Sequence, residues 1–260
     1  MTDYSLEGKI AIVTGGTQGI GGGITRRLAE AGAAVAIVAR TKDDVERVAA
    51  EVEAGGGRAL PVVADVTDYD RLPDIVDATV AAFGGIDILV NNAGGEVSPM
   101  FLDTRVKDFE DVFRFNVIAP FELSRLAVPH MLERPGASIV NISSITAGRS
   151  IRGQMAHHTG KTAEVQLTLS MAAELGPKIR VNAVLPGAVL TERLEWYFRE
   201  KGDFTDKIIA GTRLKRMATP DDVGYAVQFL ASPAASYITG VLFEMDGGAV
   251  DEGTPMFADL

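Results

Sequence analysis

The sequence predicts an α/β fold in which a parallel sheet of seven strands carries helices on both faces. Seven short apolar runs rich in β-branched residues recur along the chain, and helix-like segments separate them. The first run leads directly into a glycine-rich turn. These runs lack the alternation of apolar and polar residues that marks a half-buried strand. They are typical of strands buried on both faces of a parallel sheet.

The predicted elements follow one another in the order of repeated βα units. The strands are KIAIVTG, AAVAIVA, ALPVVAD, IDILVNNAG, ASIVNISS, IRVNAVLPG and GVLFEMDGG. Between them, ITRRLAEAG, KDDVERVAAEVEAGG, DRLPDIVDATVAAFGG and KTAEVQLTLSMAAELGP have helical spacing and end at Gly or Gly-Pro. This order predicts a doubly wound α/β sheet, the Rossmann fold.

The domain organisation is expected to be simple. No linker, change of composition or internal repeat divides the chain, so residues 1–260 are expected to form a single domain. One long interruption of the alternation, at about residues 188–217, exceeds an ordinary connection in such folds. Loops of this length usually cover or bind ligands, so this segment is expected to be a substrate loop or lid.

Composition excludes several classes of protein. The chain contains no cysteine, which rules out disulfides, thiolate metal ligands and thiol nucleophiles. Its formal charge of −10 opposes binding to nucleic acid or to an anionic membrane. The sequence shows no signal peptide and no apolar run near the roughly 18 residues of a membrane span. A cytoplasmic location is therefore expected.

The turn TGGTQGIG, at residues 14–21, is the strongest local signal for a ligand. Gly15 permits a tight turn, Gly19 lets the backbone approach a pyrophosphate, and Gly21 lets the following helix pack closely. The helix N-terminus supplies N–H groups and the positive end of a dipole. The turn as a whole predicts a dinucleotide site formed by Gly15, Thr17, Gln18, Gly19, Ile20 and Gly21.

The end of the second predicted strand bears on the choice of cofactor. Ala39 occupies the position where an acidic residue would bind the ribose of NAD, and Arg40 follows it. A guanidinium there can pair with the 2′-phosphate of NADP and stack on the adenine. The sequence therefore favours NADP over NAD, with NAD still possible and a solvated surface arginine as the alternative for Arg40.

Further motifs extend along the chain: NNAG at 91–94, FNV with Asn116, ISS with Ser143 and Ser144, Lys161, and PGAVLT at 186–191. With the glycine-rich turn, they make the chain resemble the short-chain dehydrogenase/reductase family over essentially its whole length. The resemblance implies a Rossmann enzyme, usually a homotetramer or homodimer. Such an enzyme moves hydride between a nicotinamide cofactor and an alcohol or carbonyl substrate.

The resemblance also implies the roles of individual residues. Asp65 and Val66 would flank the adenine. The NNAG segment would line the cofactor, and Val189 and Thr191 would hold the nicotinamide carboxamide. The implied cofactor set outside the glycine-rich turn is Arg40, Asp65, Val66, Asn91, Asn92, Ala93, Gly94, Lys161, Pro186, Gly187, Val189 and Thr191.

The catalytic set of the family is Asn, Ser, Tyr and Lys, and the resemblance assigns Asn116, Ser144 and Lys161 to three of these positions. The tyrosine position, four residues before the lysine, holds His157. Helical spacing still places His157 and Lys161 on one face. The neighbouring His158 is the competing candidate, with a structural role as the alternative.

Imidazole differs from phenol in reach and in proton affinity. It is shorter by roughly 2 Å, so a substrate must sit deeper or a water must bridge the gap. The positive charge of Lys161 is expected to lower the pKa of His157 from about 6.5 to about 5.5. His157 is therefore expected to act as a base, directly or through water, and to be a poor proton donor.

The substrate side of the sequence leaves alternatives open. Arg149 and Arg152 are either surface arginines or a clamp for a carboxylate or the phosphates of a CoA thioester. The aromatic residues Trp196, Tyr197 and Phe198 either pack under the lid or contact an apolar substrate. The expected partner is a small alcohol, ketone or acyl-CoA, and no metal site is expected because the histidines lack ligand spacing.

Two other functions are compatible with these residues. One is an enoyl- or dienoyl-CoA-type reductase of a conjugated carbon–carbon double bond, where the resemblance allows the tyrosine to be missing. The other is a cofactor-binding subunit or sensor that has lost turnover. Asn116, Ser144 and Lys161 argue against the sensor.

Overall fold

The computed structural model describes residues 4–95, 99–150, 152–201 and 205–249. In these ranges seven strands form one sheet in the order β3-β2-β1-β4-β5-β6-β7, and every neighbouring pair is parallel. The strands are β1 (Ile10–Thr14), β2 (Ala34–Ala39), β3 (Arg58–Val63), β4 (Ile88–Asn91), β5 (Ser138–Ile142), β6 (Arg180–Pro186) and β7 (Leu242–Met245).

Helices connect these strands. They are α1 (Gly19–Glu30), α2 (Lys42–Ala54), α3 (Leu72–Phe83), α4 (Val106–Phe113), α5 (Ala119–Met131), α6 (Met155–Leu175), α7 (Glu192–Lys201), α8 (Thr205–Ala210) and α9 (Pro220–Ala231). The doubly wound fold predicted from the sequence is confirmed. The long interruption predicted at about 188–217 contains α7 and α8. In the described ranges, no helix is both long enough and apolar enough to cross a membrane.

Two apolar cores form because successive side chains of a strand point to opposite faces of the sheet. On β1, Ala11 and Val13 join the core beneath α1, α2 and α9. Ile12, between them, joins the core beneath α3 and α5 on the other face. Burial of a side chain such as Ile12 stabilises the fold by roughly 1.5–3 kcal/mol. The unbroken apolar runs in the sequence reflect this burial on both faces.

The two edge strands depart from the predicted burial. β3 is mostly exposed or half-buried, and Leu242 and Phe243 of β7 are 36% and 37% exposed. An edge strand pairs on one side only, and its apolar faces are covered less completely than those of a central strand. The apolar run at β7 correctly predicted a strand, but not its exposure.

The sheet places its ligand-binding edge at the carboxyl ends of the strands. The chain winds outward from β1 to β3 on one side and from β4 to β7 on the other. The loops after β1 and β4 therefore turn in opposite directions and leave a crevice between them, which is where doubly wound folds bind ligands. The glycine-rich turn follows β1, and the NNAG segment spans the end of β4.

Helices α1 and α9 approach so closely that their contact requires glycine. A methyl group on Gly23 of α1 would overlap the carbonyl oxygen of Pro220. A methyl group on Gly224 of α9 would lie 2.6 Å from Cγ of Arg27 and 2.8 Å from the Gly23 carbonyl oxygen. Gly22 faces no such neighbour, since its nearest heavy atom would be 3.4 Å away. The contact explains Gly23, but not Gly22.

This difference predicts opposite effects for two adjacent substitutions. Gly23→Ala should lower the free energy of unfolding by about 1–3 kcal/mol because the methyl group overpacks the α1–α9 contact. Gly22→Ala is the matched control and should be neutral or stabilise by up to about 1 kcal/mol, since Ala is the better helix former. Urea denaturation of both variants measures the difference. Equal stabilities would contradict the inferred contact.

Candidate active site

The glycine-rich turn is shaped by backbone conformations that favour glycine. Gly15 and Gly19 have φ values of +63° and +51°, in the left-handed region. A methyl group on Gly21 would overlap the Gly15 carbonyl oxygen. α1 then begins at Gly19, its N-cap residue Gln18 makes no side-chain capping hydrogen bond, and its first turn contains no acidic residue. The positive end of this helix is therefore not neutralised by a carboxylate of its own first turn.

A cavity of about 270 Å³ lies at the crevice between the carboxyl ends of β1, β2 and β4, and we call it the switch-point cavity. Nine of the residues implicated from the sequence line it. They are Gly15, Thr17, Gln18, Arg40, Asp65, Val66, Asn92, Ala93 and Gly94. The other predicted cofactor residues do not line it, namely Gly19, Ile20, Gly21, Asn91, Lys161, Pro186, Gly187, Val189 and Thr191. Ile20 packs against the core beneath α1 instead.

Asp65 is held as a carboxylate at the cavity wall. Its side chain accepts hydrogen bonds from the backbone N–H and hydroxyl of Thr67 at 2.9 and 2.8 Å. Burial opposes ionisation, but these hydrogen bonds and the charges of Arg40 and Arg114 together hold the pKa of Asp65 below its usual value. Arg40 is exposed, and Asp44 of α2 lines the same cavity.

The two asparagines of the NNAG segment have different surroundings. Asn92 Nδ2 donates to the carbonyl oxygens of Thr14 and Gly15 at 2.8 and 3.2 Å, and so braces the turn after β1. Asn91 instead donates to Asn141 and Ser124 inside the protein. The Asn91 side chain is only 2% exposed and turns into the core, so it does not line the switch-point cavity.

Asn116 lies in a π-helical turn, Arg114–Ile118, between α4 and α5. Its Nδ2 donates to the carbonyl oxygens of Gly95 and Val112, and its Oδ1 accepts from the Gly95 N–H at 2.9 Å. Isolated π-helical turns are rare and often occur at functional sites. Here the turn carries the asparagine that fixes the loop after β4.

Ser144 follows β5 and begins a short 3₁₀ turn. Its Oγ accepts from the backbone N–H and hydroxyl of Thr146 at 3.2 and 2.9 Å. Both bonds use the serine oxygen as acceptor, so its own hydrogen remains to be donated to another oxygen.

Lys161 lies on α6, 5% exposed, with its ammonium beside the loop after β4. Nζ donates to the Ile142 carbonyl oxygen at 2.9 Å and to Glu164 Oε2 at 2.8 Å. A methyl group on Gly94 would lie 3.2 Å from this Nζ and 2.9 Å from Asn116 Oδ1. Because Gly94 has no side chain, the cavity wall at this residue can lie close to both the Lys161 ammonium and the Asn116 amide.

His157 occupies the first turn of α6, and His158 is its neighbour. Burial, followed by the positive charges of Lys161, His158 and Arg193, lowers the pKa of His157 from 6.5 to about 4. The direction predicted from the sequence agrees, but the lowering is larger than predicted because burial outweighs the lysine charge. The His158 side chain is 8% exposed, and burial lowers its pKa as well.

Comparisons with known proteins identify this arrangement. A family model described as "Enoyl-(Acyl carrier protein) reductase" matches residues 15–250. The 7alpha-hydroxysteroid dehydrogenase of Escherichia coli K12 is 36% identical over 248 residues, covering 95% of this chain and 96% of that protein. The chain belongs to the short-chain dehydrogenase/reductase family. The resemblance found in the sequence is thereby confirmed at the level of the family.

Other members show how closely the fold agrees. The 3-oxoacyl-(acyl-carrier-protein) reductase of Thermotoga maritima is 34% identical, covering 94% of this chain and 99% of that protein. A structure described as 7 alpha-hydroxysteroid dehydrogenase complexed with NADH and 7-oxo glycochenodeoxycholic acid superposes with a TM-score of 0.92 at 35% identity. It covers 97% of this chain and 98% of that one. These relatives support an oxidoreductase.

The residues of this short-chain dehydrogenase/reductase fit a nicotinamide dinucleotide. The glycine turn leaves room for a backbone approach to a pyrophosphate, and the uncapped end of α1 offers N–H groups to it. Gly94 lets the backbone at the switch-point cavity lie close to the Lys161 ammonium and to Asn116, because a methyl group there would press against both.

The segment after β6 leads into α7 beside the glycine-rich turn. Thr191 caps the start of α7, with Oγ1 accepting from the Leu194 N–H at 3.2 Å. If Gly19 carried a methyl group, that group would lie 3.3 Å from the methyl carbon of Thr191. Val189 is buried and pairs with Ala218, and Gly187 packs against Asp246. Thr191 is thus the member of the PGAVLT segment placed against the glycine turn.

Arg193 on α7 was not found by sequence reasoning. Its guanidinium lines the switch-point cavity, and Nη1 would be 3.2 Å from a methyl group on Gly95. The residue follows the PGAVLT segment by two positions, but that spacing does not reveal that α7 folds back over the crevice.

Arg149 is held by a carboxylate and a backbone carbonyl, and the aromatic residues of α7 differ in exposure. Arg149 Nη2 forms an ion pair with Asp246 at 2.9 Å, and its Nη1 donates to the Ala249 carbonyl oxygen at 3.4 Å. Arg152 is half-buried. Trp196 is 53% exposed, whereas Phe198 is 8% exposed. The Tyr197 side chain lies outside the described residues. Among the described side chains, no group of three or more His, Asp or Glu residues is placed to hold a metal.

The lowered pKa of His157 predicts acid sensitivity of the fold. The unfolded chain takes up this proton near pH 6.5, whereas the folded chain does so only near pH 4, so stability is lost as pH falls between these values. Between pH 7 and 5 the loss for this group is about 2 kcal/mol. His157→Gln should reduce the loss measured by urea denaturation at both pH values. The exposed His130→Gln is the control, and equal losses in the two variants would refute the assignment.

Proposed function

We propose that this chain is an NAD(P)-dependent oxidoreductase that transfers hydride between nicotinamide and an alcohol or carbonyl substrate, with His157 in the proton relay. The observation that carries the proposal is the convergence of Lys161 Nζ and Asn116 Oδ1 on Gly94, a residue of the switch-point cavity at which a methyl group would lie 3.2 and 2.9 Å from these two atoms. A relative that binds NADH and a steroid ketone in its crystal structure supports it.

The cofactor would be held from end to end by the predicted residues. The turn from Gly15 to Gly21 would bind the pyrophosphate, and Asp65 and Val66 would flank the adenine. Val189 and Thr191 would face the nicotinamide carboxamide, next to Pro186 and Gly187. When bound, the nicotinamide supplies the hydride chemistry, and the protein supplies position and charge.

Lys161 and Ser144 would act on hydroxyl and carbonyl oxygens. Two of the three ammonium N–H directions of Lys161 are used by Ile142 and Glu164, which leaves one for a ribose hydroxyl. Ser144 would donate its remaining hydrogen to the substrate oxygen. Asn116 uses both Nδ2 hydrogens inside the protein, so a relay water held by its side chain would have to donate to Oδ1.

His157 would be the base that receives the substrate proton, directly or through a water. With its pKa lowered to about 4, the imidazole is neutral near pH 7 and can accept a proton. The protonated form needed for carbonyl reduction would then be only about 0.1% of the population at pH 7. The site is therefore biased toward alcohol oxidation.

The substrate is expected to be a small alcohol or ketone, or an acyl thioester. Hydroxysteroid and 3-oxoacyl substrates in the names of the relatives support this range. We further infer one domain over residues 1–260 with a lid at about 188–217, a homotetramer or homodimer, and a cytoplasmic location.

The first prediction from this function concerns the cofactor. Titration should show tighter binding of NADPH than of NADH, because Arg40 can pair with the 2′-phosphate. Arg40→Ala should weaken NADPH about tenfold or more, as expected for loss of a charged hydrogen bond, and leave NADH within about twofold. Arg58→Ala is a control at a different exposed arginine. Tighter binding of NADH by the unchanged protein would overturn the NADP preference alone.

The second prediction concerns the relay. With a panel of 7α-hydroxysteroids and 3-hydroxyacyl thioesters, stopped-flow absorbance should show oxidation favoured near neutral pH. His157→Ala should slow hydride transfer by at least about 100-fold, the usual contribution of a positioned base. His158→Ala should have little effect. His157→Tyr should raise carbonyl reduction at pH 7 if the pocket accepts a phenol.

Other results of these experiments would support one of the two alternative functions. The enoyl description of the matching family model favours a double-bond reductase as the second candidate. Unchanged hydride transfer and pH profile in His157→Ala, with turnover of an enoyl thioester, would support that candidate. Nucleotide binding without turnover of any substrate class would support the cofactor-binding subunit or sensor.

A further inference from the structure

Glu164 is a buried carboxylate that the proposed function does not use. It lies three residues after Lys161 on α6 and is 1% exposed. Burial of an unpaired carboxylate would cost several kcal/mol, and even a paired one rarely stabilises a fold more than apolar residues would. A group of this cost next to a proposed active-site lysine calls for a role at the site.

The contacts of Glu164 point to the lysine. Oε2 accepts from Lys161 Nζ at 2.8 Å, and Ser143 at the end of β5 lies within hydrogen-bonding reach of the carboxylate. Burial raises the pKa of Glu164, while the charge and hydrogen bond of Lys161 and the hydrogen bond of Ser143 oppose that rise. The two charges thus compensate each other inside the protein.

The backbone beneath Glu164 is held by a chain of buried hydrogen bonds. Its carbonyl oxygen accepts from Thr168 Oγ1, which accepts from Asn141 Nδ2. Asn141 Oδ1 accepts in turn from Asn91, which also contacts Ser124. This chain joins α6, β5, β4 and α5, so the carboxylate is attached to the core and not to a mobile surface.

We propose that Glu164 is a positioning residue, whose carboxylate directs one N–H of Lys161 inward so that another faces the nicotinamide-side ribose of the cofactor. An ammonium on a flexible four-carbon stem does not hold such a direction by itself. With Ile142 and Glu164 as two acceptors, the third direction is set by tetrahedral geometry. This inference rests on the proposed function because it assumes that Lys161 meets a ribose hydroxyl.

Comparing the affinities for whole dinucleotides and for their adenosine halves distinguishes this positioning role from a general disruption of the structure. NADPH and NADH carry the nicotinamide-side ribose, whereas 2′,5′-ADP and ADP lack it. Glu164→Gln keeps the shape but removes the charge, and should weaken the better-bound dinucleotide about tenfold in a fluorescence titration. The matching adenosine half should bind within twofold of the unchanged protein. Glu174→Gln, at an exposed position on the same helix, is the matched control and should change neither.

A double-variant cycle tests whether Glu164 acts through the lysine. In a Lys161→Met background, Glu164→Gln should cause no further loss of dinucleotide affinity. A second tenfold loss there would overturn the proposal, as would equal losses for dinucleotide and adenosine half, or no loss at all. Where Glu164→Gln does not fold, Glu164→Asp serves, with at least a threefold loss expected for the dinucleotide alone and an unchanged affinity refuting the role.

The result is separable from a failure of the proposed function. If the unchanged protein binds neither NADPH nor NADH, the proposed function is wrong. If it binds one of them and Glu164→Gln binds it equally well, only the positioning role is wrong. Neither comparison requires a known substrate or any turnover.

Discussion

The parallel pairing of β1 with β2 on one side and β4 on the other is the constraint on which the site depends. Parallel strands all end at the same edge, so the loops that follow them meet there without any further arrangement. The turn at Gly15, the arginine at position 40 and the loop at Gly94 converge for this reason. The site is assembled from distant parts of the chain by the register of the sheet.

Electrostatics then divide the site into two parts. Near the α1 N-terminus, the backbone N–H groups and the arginines at positions 40 and 193 lie beside the carboxylates of Asp44 and Asp65. Near α6, the lysine charge is balanced by Glu164, and the adjacent imidazole is kept neutral by burial and by its cationic neighbours. In the proposed function, the N–H groups of the first part bind the phosphates of a dinucleotide, and the second part carries the proton transfer.

The sequence predicted the elements whose signals are local. Strand positions, the glycine-rich turn and the residues at the ends of β1 to β4 follow from apolar runs and glycine spacing. Exposure of β7 could not be predicted, because it depends on which strand lies at the edge. Arg193 depends on how α7 folds back. The inward direction of the Asn91 side chain follows from the alternation of side chains along β4. The NNAG motif by itself does not reveal it.

Glu164 shows a second reason why part of the site could not be predicted from the sequence. Its place three residues after Lys161 was visible, and a surface ion pair between helix neighbours is a common pattern that carries little information. Only its burial makes it significant. Likewise, burial outweighs charge in lowering the pKa of His157, and burial is a property of the packed structure that a charge pattern does not contain.

The glycine contact between α1 and α9 has a consequence for how the chain is made. The two helices meet through residues about 200 positions apart, so one face of the first helix stays uncovered until nearly the whole chain has been synthesised. Closing so large a loop costs entropy before any contact repays it. The nascent amino-terminal half therefore lacks this contact, and its packing is completed only after the residues of α9 have been synthesised.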